Sequence, residues 1–167
     1  MSTTIFQSYL GAVGNENHAF LAGGNISGQA LSHNTTTTID LDTNHFDPGG
    51  NFSTSTNAYT APVDGIYFFH GQILYQSATV FNAGERTDIR LYKDGAHSPT
   101  VTTILFPDEA DNYTAFFHPK MNGVTSCTAG QEITMRVFQN TGVTQYTYAN
   151  SSNAQYTSFS GYLIQPT

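Results

Sequence analysis

An all-β sandwich is the fold this sequence predicts, and three observations predict it. The side chains are of strand type: 12 Phe and 10 Tyr accompany many β-branched Thr, residues that lose rotamer freedom in a helix but pack well on a pleated, half-buried surface. No stretch of a dozen residues places apolar side chains at i, i+3, i+4 and i+7, whereas several short runs alternate at period two. Turn-forming residues punctuate these runs at regular spacing. Short antiparallel strands and a helix content near nil follow.

The first strand is expected over Ile5 to Val13, followed by short strands at Gln29 to Leu31 and Thr37 to Leu41. Asp47-Pro48-Gly49-Gly50 turns the chain toward a strand at Ala58 to Thr60, and Pro62-Val63-Asp64-Gly65 turns it again. The run from Gly65 to Gln76 is the most informative. Tyr67, Phe69, Gly71, Ile73 and Tyr75 share one face of it, and Ile66, Phe68, His70, Gln72 and Leu74 share the other. Both faces are largely apolar, so the opposite sheet covers one, and either a loop or a neighbouring subunit covers the second.

Thr87 to Tyr92 comes next, and Lys93-Asp94-Gly95 is the strongest hairpin signal in the chain. Strands at Val101 to Phe106, Asn112 to Pro119, Glu132 to Gln139, Gln145 to Tyr148 and Ser158 to Ile164 complete the set. Ala129-Gly130-Gln131 and Asn140-Thr141-Gly142 turn the chain between them. No shift in composition marks a boundary, and residues 1–167 read as one domain.

Five Lys plus Arg stand against twelve Asp plus Glu, for a net charge of −7, and no basic run is present to neutralise a phosphate backbone. Neither nucleic acid nor a membrane is an expected partner. Cys127 is the single cysteine, which excludes an intrachain disulfide. The opening Met-Ser-Thr-Thr-Ile-Phe-Gln-Ser lacks the basic and apolar regions of a signal peptide, so synthesis in a cytoplasm without export by the general route is expected.

Tyr59-Thr-Ala-Pro-Val-Asp-Gly-Ile-Tyr-Phe-Phe69 resembles the stretch of the globular C1q domain in which a Pro-x-x-Gly-x-Tyr-x-Phe turn leads into an apolar strand. Thr157-Ser-Phe-Ser-Gly-Tyr-Leu-Ile164 is similar to that family's closing strand. Leu91-Tyr-Lys-Asp-Gly95 and Thr128-Ala-Gly-Gln-Glu-Ile133 resemble its central hairpin and its turn into the penultimate strands, and Ile5-Phe6-Gln7-Ser8 matches the place of its first strand. The resemblance implies a ten-stranded jelly roll of the C1q and tumour-necrosis-factor type, assembled as a homotrimer. Tyr67, Phe69, Ile73, Phe159, Tyr162 and Ile164 are the contact residues it suggests. His70 and Gly71 depart from the family pattern, which more often has Thr or Phe there.

No chemistry-bearing motif points to an enzyme. Asp40-x-Asp42-x-Asn44 starts like a calcium loop, but His45 stands where the sharp turn requires Gly and Asn51 where a bidentate Glu belongs. The six histidines form no ligand pair at metal spacing, and there is no nucleophile elbow or phosphate loop. No cofactor is expected. Asp108, Glu109 and Asp111 bring three hard oxygen donors within four residues, where a structural calcium ion could bind, although a solvated acidic loop is the simpler expectation. Tyr146, Tyr148 and Tyr156, flanked by Asn, Gln, Ser and Thr, are the candidates for a surface that meets a partner or a glycan.

The function expected is that of a non-catalytic virion protein of a tailed bacteriophage, a trimeric capsid decoration or cement protein assembled in the host cytoplasm and bound to the major capsid protein or another virion protein. The alternatives are a receptor- or glycan-binding head of fibre-tip or adhesin type, and an extracellular recognition ligand of the C1q or tumour-necrosis-factor kind.

Overall fold

Thirteen strands and no helix run through the residues that the computed structural model describes, namely 18–24, 27–76, 82, 84–105, 117–149 and 156–167. In chain order they are β1 (Ala19–Gly23), β2 (Ala30–Leu31), β3 (Thr35–Thr38), β4 (Thr43–Phe46), β5 (Phe52–Ser53), β6 (Ala58–Thr60) and β7 (Gly65–Gln72). The remainder are β8 (Thr87–Lys93), β9 (Ala96–Leu105), β10 (Lys120–Cys127), β11 (Glu132–Gln139), β12 (Gln145–Tyr146) and β13 (Ser158–Pro166). A five-stranded sheet has the order β10-β7-β13-β1-β4. A six-stranded sheet has the order β5-β6-β11-β8-β9, with β3 also pairing β11, and β2 pairs β12 as a small third sheet. Every pairing between named strands is antiparallel. This is the all-β jelly-roll sandwich the sequence implies.

The core lies between the two large sheets and follows from alternation. Phe20, Tyr67, Phe69, Met121, Phe159 and Leu163 point inward from the five-stranded sheet, and Tyr59, Ile89, Leu91, Ile133, Met135 and Val137 from the six-stranded one. Aromatic rings link the layers. Phe20 stacks on Tyr59 at a centroid distance of 4.3 Å and meets Phe159 edge-on at 5.0 Å, while Phe69 stacks on Phe159 at 5.8 Å. Gly71 and Gly161 share this inward phase because the core leaves them no side-chain room. A Cβ at Gly161 would lie 2.6 Å from the Phe69 ring, and one at Gly71 would lie 2.9 Å from Met121 Cε and overlap Met135 Sδ.

Several strands differ from their sequence-based bounds. Ile5 to Val13 lies outside the described residues, and the first described strand is β1, which pairs with β13. Asn112 to Pro119 is not described up to 116, and Phe117 to Pro119 is not strand. β10, β1, β4 and β5 are strands that periodicity missed. In β10 the inward positions are Met121, Gly123, Thr125 and Cys127, while Val124 faces out, so the alternation is chemical nonsense until the backbone is known.

Tyr67 and Tyr59 are both wholly buried, but their hydroxyls fare differently. Tyr67 donates to the Val63 carbonyl at 2.9 Å, whereas the Tyr59 hydroxyl has no partner among the described residues. A buried hydroxyl without a partner carries a desolvation cost of about 1–3 kcal/mol. Tyr59→Phe is therefore expected to raise the unfolding free energy, and Tyr67→Phe to lower it by about 1 kcal/mol. Urea denaturation of both variants reads the opposite signs directly.

Candidate functional site

Among the described residues, the outward side of the five-stranded sheet gathers a row of apolar side chains that the rest of those residues do not cover. Register places them in rows across the strands: Val124 pairs with Phe68, Phe68 with Tyr162, and Tyr162 with Ala19. The adjacent row runs Asn122, His70, Ser160, Leu21 and Phe46. Ile66 and Ile164 extend the apolar surface on the other side, where the β7–β13 register shifts between Leu163 and Gln165. Phe68 and Tyr162 touch, with ring centroids 5.3 Å apart. Val124, Tyr162, Ile164 and Phe46 keep about half of their surface in water, at 48%, 49%, 47% and 54% exposure. Eight apolar side chains on one sheet face, rimmed by Asn122, Ser126 and Lys120, make the contiguous kind of patch that marks an association surface.

The expected contact residues divide by phase. Tyr162 and Ile164 lie on this face. Tyr67, Phe69, Ile73 and Phe159 do not: each is 0% exposed within a single chain and belongs to its core. The correction has a simple cause. The Gly65 strand is apolar on both faces, and sequence could not say which phase met the opposite sheet. Phe68, Ile66, Val124, Leu21 and Phe46 hold the outward positions instead. Phe68 was legible as the alternate phase of its strand, while Val124 and Phe46 sit in strands whose alternation is obscured by polar neighbours.

The other candidates are placed elsewhere. Tyr146 is 47% exposed on β12, away from the apolar face. Tyr148 and Tyr156 form a ring pair at 5.4 Å and are half-buried. Asp108, Glu109 and Asp111 lie outside the described residues. Among the described residues, no group of three His, Cys, Asp or Glu side chains is placed to hold a metal ion. Asn44 and His45 of the calcium-like run lie within β4 rather than in a loop between helices. Burial pushes the Cys127 thiol up to about 11, so it rests as an unreactive core group.

The sequence of this chain matches the C1q domain pattern over residues 19–164. The chain belongs to the C1q domain family. Solved structures of the same fold include Eiger TNF from S. frugiperda, with 12% identity, a TM-score of 0.66, and coverage of 90% of this chain and 94% of that one. The globular domain of the zebrafish complement 1qA protein has 14% identity and a TM-score of 0.60, covering 90% and 99%. Murine APRIL has 12% identity and a TM-score of 0.59, covering 88% and 98%. No curated protein matches the sequence significantly. C1q and TNF-type domains typically form homotrimers and serve as binding or structural modules rather than enzymes.

Within this C1q domain the face carries one titratable group that responds near neutrality. His70 sits between Asn122 and Ser160, and burial, with the Lys120 charge adding to it, holds its pKa below the ordinary imidazole value of 6.5. His118, whose Nε2–H donates to the Tyr156 carbonyl at 2.9 Å, is lowered for the same reasons. Well above pH 6.5 both are neutral in folded and unfolded chains and cost nothing. As pH falls below that value the unfolded chain takes up protons first, so stability declines until the lower folded pKa is passed. The unfolding midpoint is expected to drop between pH 7 and pH 5, and His118→Gln to flatten that slope. A variant with the full wild-type slope would remove His118 from the account.

Proposed function

We propose that this C1q domain acts as a homotrimeric, non-catalytic recognition or structural head that closes on itself through the outward face of the five-stranded sheet. The observation that carries the reading is the row Val124–Phe68–Tyr162 with its apolar neighbours. A sheet face of that composition gains by leaving water, at about 25 cal/mol per Å² of apolar surface. A second copy and a third supply matching faces through closed three-fold symmetry. Light scattering on the purified chain is expected to give three times the 18.1 kDa of one chain, and a monomer at micromolar concentration overturns the reading.

Decoration of a tailed-phage capsid, in contact with the major capsid protein, is the more specific use we propose for such a head. A three-fold module matches three-fold positions on a shell. The protein is then a virion component, and it copurifies with capsids at a copy number set by the lattice. Absence from purified particles excludes that role, and saturable binding of the trimer to host cells favours a receptor-binding head in its place.

A further inference from the structure

The six-stranded sheet carries a second outward surface of different chemistry. The chain has three arginines, and all of them stand there: Arg86 just ahead of β8, Arg90 on β8 and Arg136 on β11. Arg90 and Arg136 are direct cross-strand partners, an arrangement in which like charges repel. Asp88 is the one carboxylate in ion-pair contact with them among the described residues, 3.5 Å from Arg86 and closer to Arg90. Aromatic rings hold the guanidinium groups in place. Arg86 and Arg90 lie over Phe138 at 5.2 and 4.8 Å from the ring centroid, and Arg136 lies over Tyr92 at 4.3 Å. Three cations against one anion, fixed on a sheet face, is a local conflict that packing alone does not require.

We propose that this face binds a carboxylate-bearing sugar of the uronic-acid class, with Arg136 and Arg90 taking the carboxylate and strand threonines meeting the hydroxyls. A guanidinium held against a ring presents its N–H fork in a fixed orientation, which suits a planar carboxylate bound in bidentate fashion. Hydroxyls surround that point. Thr38 is the cross-strand partner of Arg136, Thr36 of Phe138 and Thr102 of Arg90, and the Thr134 hydroxyl accepts from Arg136 Nε at 3.2 Å. His97 lies tilted beside Tyr92 with ring centroids 5.5 Å apart and hydrogen-bonds the Thr102 hydroxyl at 2.8 Å, closing one side. Clustered threonine hydroxyls suit the hydroxyls of a sugar ring, while an extended peptide would need a free strand edge, and Arg90 and Arg136 stand on strands paired on both sides. An extended polyanion is disfavoured as well: the three arginines with Asp88 net two positive charges on a chain whose total is −7, so the rest of its surface repels a long anionic polymer.

The inference deepens the reading as a recognition head by naming a ligand class, and it makes no use of the trimer face. Titration of the full-length protein with a glucuronate-containing tetrasaccharide, followed by amide chemical shifts, is the direct test. Shifts are expected at Thr36, Thr38, Arg90 and Arg136, with at least a ten-fold weakening when the carboxyl groups of the sugar are reduced to alcohols. Arg136→Gln and Arg136→Lys should each weaken binding ten-fold or more, the lysine variant because it keeps the charge and loses the fork, while circular dichroism confirms that both remain folded. No shifts at 10 mM sugar, equal binding of the reduced sugar, or preference for a Glu-rich peptide overturns the proposal. An intact trimer that fails this test sinks the ligand assignment alone, whereas a monomer that binds the sugar sinks the assembly reading alone.

Discussion

Tyr162→Asp is expected to convert a trimer of this C1q domain into a folded monomer. Tyr162 sits near the middle of the outward face, beside Phe68 and one row from Leu21, and is 49% exposed in the single chain. The folded monomer loses little when the ring is removed, because that ring is half in water already; surface changes of this kind stay within about 0.5 kcal/mol. The assembly loses a great deal. Three carboxylates would be carried into an apolar contact with no cation placed to meet them, and an unpaired buried charge costs several kcal/mol per ion. The mass from light scattering should fall three-fold with the unfolding midpoint of the monomer almost unchanged, and Tyr162→Phe should stay trimeric. A Tyr162→Asp protein that keeps the trimer mass would place the association surface elsewhere on the molecule.

Asp88→Ala should produce a large loss of stability on the outward side of the other sheet. Asp88 is wholly buried, while the Arg90 side chain retains 18% of its exposure and the Arg86 side chain 36%. Burial opposes the charge on Arg90, but the hydrogen bonds it makes to Asp88 and Tyr92 outweigh that, and its pKa is raised. Removing Asp88 leaves Arg90 without its ion-pair partner while Arg136 still faces it across β8 and β11. Breaking a buried pair from one side costs about 3–5 kcal/mol, and the remaining exposure of Arg90 places this site at about 3. For a chain of this size that is a fall of about 6–12 °C in the midpoint. The double change Asp88→Val with Arg90→Leu should recover most of the loss, because it removes the stranded charge together with its partner. A single variant as stable as wild type would mean that water already screens Arg90.

Much of this protein is legible in its residue order. Glu132–Gln139 and Ala58–Thr60 are strands at the bounds their alternation gives, and the Lys93-Asp94-Gly95 turn joins β8 to β9, with Asp94 and Gly95 both at positive φ. Those features are local: a turn needs particular residues at particular positions, and an amphipathic strand announces its period. The Tyr59 to Phe69 and Thr157 to Ile164 motifs likewise carry the likeness to the C1q family in the residue order itself. Short strands such as β5, and β10 with Gly, Thr and Cys turned inward, left no such trace, since small and polar residues become core positions only when a partner sheet makes them so.

Sequence alone therefore determined the class, the family and the existence of two apolar faces on the Gly65 strand. Only the tertiary structure decided which face is which. Period-two alternation specifies that neighbours point to opposite sides and carries no information about which side meets the other sheet. Pairing of β7 between β10 and β13 turned Tyr67 and Phe69 into the core and left Phe68 facing out with Tyr162 and Val124. The same pairing logic brought Arg90 and Arg136, 46 positions apart in the chain, to adjoining places on the opposite sheet. Residues distant along the chain become a surface only through strand register, which is a property of the whole fold.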